Sequence, residues 1–126
     1  MKIKNLFLSA LVLSAFAFAV SACGDKKNEA PVITIDEPVD GSTWQVDSTI
    51  HIEATVTDDE GLHEMGVYVF NSGGTVFQEI VSVHDVKTKD YHEHFTIIGA
   101  GTYTVKVVAE DHEGLETTKQ VGITVN

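Results

Sequence analysis

The sequence predicts an all-β fold, a sandwich of about seven antiparallel strands without a disulfide. Three observations carry this. Apolar residues recur at every second position in one segment after another, the period of a strand buried on one face. Clusters of Gly, Asn, Asp and Ser punctuate these segments at the short intervals of a sandwich. From Pro31 onward no stretch repeats its apolar residues at helical spacing.

Val32 to Ile35 reads as the first strand, ended by Glu37-Pro38 and the turn residues Asp40-Gly41-Ser42. Trp44 and Val46 keep the spacing of two, with Trp44 placed to cap one end of the core. The second strand sets Ile50, Ile52, Ala54 and Val56 against His51, Glu53, Thr55 and Thr57, and Asp58-Asp59-Glu60-Gly61 is expected to break it. A third runs from Glu64 to Phe70 with Met65, Val67 and Val69 inward, followed by a turn at Asn71-Ser72-Gly73-Gly74. The fourth, Thr75 to His84, has apolar residues on both faces, which predicts an edge strand with a bulge or a switch of register. After a polar turn at Asp85 to Asp90, the fifth strand, Tyr91 to Ile98, turns Phe95 and Ile97 inward and His92, His94 and Thr96 outward. The sixth buries Tyr103, Val105, Val107 and Ala109, and the last Val121, Ile123 and Val125.

The N-terminus has a different character. Lys2 and Lys4 precede an apolar run from Leu6 to Val20, then the small residues Ser21 and Ala22, then Cys23. This is the layout of a secretory signal, and the run is short for a membrane span. Val20-Ser21-Ala22-Cys23 resembles the bacterial lipobox, which implies a diacylglycerol thioether on Cys23 and cleavage just before it. Cys23 is the one cysteine in the chain, and lipidation accounts for an exported thiol with no partner. Each buried methylene contributes about 0.8 kcal/mol, so two or more acyl chains make a lasting membrane anchor. The expected organisation is residues 1–22 as signal peptide, 23–30 as lipidated cysteine and flexible tether, and 31–126 as the folded domain. An Asp at the position of Gly24 would, by resemblance to studied lipoproteins, favour inner-membrane retention; its absence permits delivery to the outer membrane, and a lipid-anchored place in the cell envelope there is the expectation.

Removing residues 1–22 leaves 126 − 22 = 104 residues, the size of one domain. Six of the eight basic residues remain against nineteen acidic ones, so the formal charge is 6 − 19 = −13, and arginine is absent. Nucleic acids and anionic lipid surfaces are read by Lys and Arg, so this balance argues against both.

Gly101-Thr102-Tyr103-Thr104-Val105 resembles the tyrosine corner of immunoglobulin-like and fibronectin type III-like domains, in which a Tyr opening the sixth strand bonds back to nearby backbone. The resemblance spans residues 31–126 and is to the bacterial immunoglobulin-like group of surface and periplasmic proteins. The inter-sheet cysteine pair and the third-strand Trp of antibody domains are missing, which excludes that branch. The whole chain also resembles small single-domain Gram-negative envelope lipoproteins of this fold.

Several residue sets are candidates for chemistry. Asp58, Asp59, Glu60, Asp111 and Glu113 sit in two echoing loops, Asp58-Asp59-Glu60-Gly61-Leu62 and Asp111-His112-Glu113-Gly114-Leu115, that this topology places at one pole. They offer oxygen ligands for calcium, although neither loop has the alternating Asp spacing of a dedicated site. The simpler expectation is Asp bonding to turn backbone, with Gly at positive φ. His92 and His94 share one strand face, His51 should lie across from them, and His84 is expected beside His92. Together these four offer imidazole nitrogen to zinc or copper. His63 and His112, at loop edges, are expected to be solvated.

His92-Glu93-His94 resembles the start of the copper site of copper–zinc superoxide dismutase, but only that fragment. The remaining ligands are missing, a blue-copper site lacks its Cys, and neither a nucleophile elbow nor a phosphate-binding loop is present. The chain is expected not to be an enzyme. Tyr68 and Phe70 point away from the core and are the expected interface anchors. The leading expectation is a lipid-anchored binding or accessory module contacting an envelope protein or glycan. The second is a metal-binding lipoprotein using the histidines.

Overall fold

The computed structural model describes residues 26–126. Residues 1–25, which hold the expected signal peptide and the lipobox-like stretch with Cys23, lie outside the described residues. Six strands form: β1 (Val32–Glu37), β2 (Thr43–Trp44), β3 (Thr49–Asn71), β4 (Gly74–Thr96), β5 (Gly101–Asp111) and β6 (Glu116–Val125). Their order is β1-β3-β5-β6-β2, with β4 paired to β3, and every pairing is antiparallel except β2 with β6.

β3 and β4 are each 23 residues long and make one ribbon folded over on itself. Residues 49–57 of β3 lie between β1 and the second half of β4, whereas residues 62–71 lie between β5 and the first half of β4. β1 also contacts β5 and β6, so the two halves face each other across one core. The expected second and third strands are therefore one continuous β3, and the fourth and fifth one continuous β4. The polar stretches read as breaks are bends within the ribbon. Register slips between Thr57 and Leu62 and again between Leu62 and Glu64, and the partner of Glu64 is Ser82 while that of Leu62 is Val86. Two residue steps on β3 thus face four on β4, and the surplus is a bulge that turns the ribbon. Gly61 (φ 150°) and Asp85 (φ 59°) absorb the bend on the two strands. β4 pairs with β3 alone, so the expected bulged edge strand is observed.

Alternation decides the core. Ile50, Ile52, Val56, Met65, Val67, Val69, Val105 and Val107 are fully buried, with Leu62 at the bend and Ile97, Ile123 and Val125 closing the ends. Trp44 packs against the rim, its Nε1 donating to Ser42 Oγ at 2.9 Å.

The tyrosine corner is present. Tyr103 is buried and its hydroxyl donates to the Gly99 carbonyl at 2.8 Å. Tyr103→Phe keeps the ring and strands that carbonyl, so it is expected to cost about 1–2 kcal/mol, read as a lower urea midpoint with unchanged slope.

Candidate metal centre

Antiparallel register carries His residues of distant sequence onto one solvent-facing patch. His51 on β3 lies opposite His94 on β4, and Glu53 opposite His92. Cross-strand partners share a face, as do residues two apart on one strand, so three imidazoles converge. The His51 and His94 rings stack at 4.4 Å, His92 stands 4.9 Å from His94, and 5.5 Å separates His51 from His92.

One ring nitrogen from each of the three lies within 4.8 Å of the others. The His92 and His94 Nε2 atoms are 3.2 Å apart. Tetrahedral zinc with Zn–N bonds of the usual length spaces its nitrogens about 3.3 Å apart, so this pair already stands at ligand spacing. Glu53 Oε1 is 3.5 Å from His92 Nε2, and Glu37, His51 and Glu53 form a further group of potential ligands on the same patch. A carboxylate is thus at hand for a fourth position. All three histidines are exposed, which leaves coordination sites open to water. The strand carrying His92 and His94 is clamped from below: Tyr91, buried, donates its hydroxyl to Glu79 Oε2 at 2.6 Å. Burial, and then the Glu79 carboxylate, push the Tyr91 phenol well above its ordinary value, so it remains a donor.

His84 is not beside His92. The bulge puts it on the other limb of the ribbon, where it meets His63 and His112, with ring centroids 5.3 and 5.5 Å away. His63 and His112 are 5.2 Å apart. The expectation that these two are merely solvated gives way to a second three-histidine group, also with one ligand atom each inside 4.8 Å. Sequence spacing carried no sign of it, because β3, β4 and the β5–β6 loop each supply one member.

The acidic loops do come to one pole, where His112 N donates to the Gly61 carbonyl at 3.4 Å. One carboxylate oxygen of Asp58 and one of Asp111 are taken up by their own loops, whereas Asp58 Oδ2, Asp59 Oδ2 and Asn28 Oδ1 are buried without a hydrogen-bond partner. Asp58 Oδ1 accepts from Glu60 N at 3.0 Å and Gly61 N at 2.6 Å; Asp111 Oδ1 accepts from Glu113 N and Leu115 N, both at 2.9 Å. Asp59 pairs instead with Lys26 at 3.6 Å. Glu60 and Glu113 are exposed, and none of the five belongs to the potential metal-ligand groups found among the described residues. The segment before β1 is tied to the same pole: Asn28 Nδ2 donates to Asp111 Oδ2 at 2.7 Å, and Glu29 N to Asp59 Oδ1 at 3.4 Å. Burial alone would raise the Asp111 carboxyl, but hydrogen bonds from Asn28 and from the loop amides outweigh it and hold the group below its ordinary value.

Tyr68 and Phe70 occupy the outer face of the other limb and are half-buried. Lys106 Nζ lies 4.9 Å from the Tyr68 ring centroid and 5.8 Å from that of Phe70. The Tyr68 ring also covers Gly66, where an added Cβ would meet it at 2.8 Å. Part of this aromatic surface is therefore used within the domain. Ile80, opposite Gly66 on β4, and Val76 remain 45% and 43% exposed beside it.

A family model described as a bacterial Ig domain matches residues 31–107. No curated protein matches the chain. Among solved structures, an engineered protein aligns with TM-score 0.53 at 18% identity over 76% of this chain, which spans only 20% of that longer one. The fibronectin(III)-like modules of Clostridium thermocellum CbhA align with TM-score 0.52 at 22% identity, covering 75% of this chain and 94% of that one. The CARDB domain of a Pyrococcus furiosus protein, solved in complex with di-metal ions, aligns with TM-score 0.52 at 17% identity, covering 78% and 93%. At these identities the likeness is one of fold. With the family model matched over more than half its length, the chain belongs to the bacterial Ig domain family.

Proposed function

We propose that this chain is a lipid-anchored envelope module without a catalytic step, and that the ligand it binds is a divalent transition metal of the zinc and copper class. The observation that carries the reading is the meeting of His51, His92 and His94, whose ring nitrogens lie within 4.8 Å of one another across two strands. Neutral imidazole suits zinc and copper alike, with copper(II) the tighter of the two in most sites of this kind. The strongly negative domain raises the local concentration of cations around the patch. Cys23 supplies the anchor in this reading, through its lipobox, and the outer membrane is the expected destination.

The test is calorimetric titration of the full chain in detergent with Zn²⁺, and separately with Cu²⁺. Binding at or below about 1 μM that is lost from the patch in His92→Ala/His94→Ala supports the proposal, since removing two of three ligands leaves too few donors for a site. Undiminished binding in that variant sinks it.

A second reading, contact with an envelope protein or glycan, is favoured by one observation. Ile80 and Val76 leave exposed apolar surface next to Tyr68 and Phe70. It predicts that a partner cross-links to solubilised wild-type protein and is lost on Ile80→Asp, with metal titrations unchanged.

A further inference from the structure

All six histidines of the chain fall into two groups of three, and no histidine belongs to both. We propose that the second group, His63, His84 and His112, is a separate metal site that clips the bend of the β3–β4 ribbon to the β5–β6 loop.

The three rings stand at the corners of a nearly equilateral triangle, with centroids 5.2, 5.3 and 5.5 Å apart. Each comes from a different segment: His63 follows the bend in β3, His84 sits in the bulge of β4, and His112 opens the β5–β6 loop. His63 is partly buried, and its Nδ1 is shielded from solvent without any hydrogen-bond partner. A buried imidazole nitrogen left unpaired carries a desolvation cost that a metal bond removes. His112 Nε2 lies 3.1 Å from Asp85 Oδ1. A carboxylate so placed can fix the orientation of a ligand ring by bonding one of its nitrogens. Asp85 is held at φ 59° and Gly61 at φ 150°, and a Cβ on Gly61 would approach both the His112 ring and the Asp85 backbone, so the bend itself brings the three segments together.

The donor set is three imidazole nitrogens with a carboxylate beside them, a composition suited to zinc and copper(II) and poor for calcium or magnesium, which prefer oxygen. Because the ligands come from three segments that meet only in the folded state, metal bound here is coupled to folding. The site also lies at the pole where Asn28 and Glu29 enter the domain, so it is next to the end that leads to Cys23.

The experiment titrates Zn²⁺ into the full chain in detergent and counts tightly held ions under chelator competition. It is repeated on His84→Ala/His112→Ala, which alters only exposed rings, and on His92→Ala/His94→Ala. Two ions on the wild type and one on each double variant are expected. Zinc at about a hundredfold excess over its Kd is expected to raise the thermal midpoint by more than about 5 °C, and His84→Ala/His112→Ala to lose much of that rise while keeping its metal-free midpoint. One ion on the wild type that survives in His84→Ala/His112→Ala overturns the second site and leaves the patch of His51, His92 and His94 standing. One ion that is lost only in His84→Ala/His112→Ala does the reverse. Tight binding that neither double variant diminishes overturns both.

Discussion

Leu62→Ala is expected to be the most damaging single truncation in the domain, at about 2–5 kcal/mol, the range for removing a fully buried leucine. Leu62 is wholly inaccessible to solvent and stands at the one place where β3 crosses from one layer to the other. It faces Val86 of β4 on one side and Asp111 of β5 on the other. Both flanking ladders are hydrogen-bonded, so the backbone has little freedom to close on the space left behind, and the loss belongs toward the upper end of the range. For a domain of this size each kcal/mol shifts the melting temperature by about 4–8 °C, so a fall of roughly 10 °C or more should be seen by circular dichroism. A change of only a degree or two would mean that the bend is not packed as described. Ile35→Ala, at a half-buried position on edge strand β1, is the control and should cost distinctly less.

The second large effect is electrostatic. Asp111 is 1% exposed, and its carboxylate accepts three hydrogen bonds, from Asn28, Glu113 and Leu115. Asp111→Ala strands these donors at the pole and should cost about 2–3 kcal/mol. Asp111→Asn keeps one side-chain oxygen for the loop amides and should cost less. The two variants also separate packing from charge through pH. The folded carboxyl is held below its unfolded value, so the unfolded chain takes up the proton first. The stabilisation is therefore complete above the unfolded value of about 3.9 and is lost as the pH falls through the lower folded value. The wild type should accordingly lose its advantage over Asp111→Asn between about pH 4 and the acid limit, while the advantage stays constant from about pH 5 to neutrality. Urea midpoints measured at a series of pH values check this, and parallel acid profiles for the two proteins would refute it.

Both effects lie within a few residues of the bend, where the sequence was least informative. Asp58-Asp59-Glu60-Gly61 and Asp85 to Asp90 have the composition of turns, and reading them as chain breaks gave seven strands. In the structure they carry Gly61 and Asp85 at positive φ and a bulge, yet pairing resumes at Leu62 with Val86, so the chain bends without leaving the sheet. Turn composition reports which local conformations are cheap. It does not report whether a partner strand bends alongside, and here β4 does.

Taken alone, the sequence determined what is local. Alternation assigned Ile50, Ile52, Val56, Met65, Val67, Val69, Val105 and Val107 to the interior, because the side-chain period of a strand is two whatever it pairs with. The tyrosine corner was legible for the same reason, its acceptor Gly99 being four residues from Tyr103. The paired His92 and His94, and the turn-making role of Asp58 and Asp111, were legible too, being matters of adjacent residues. Tertiary structure decided the register and the more distant meetings. His51, expected across from His92 and His94, is set opposite His94, and His84 leaves that expected group to join His63 and His112 because of the β4 bulge. Register and bulges are fixed by long-range packing, where a slip of one residue reverses every side chain, and no local pattern in either strand records it.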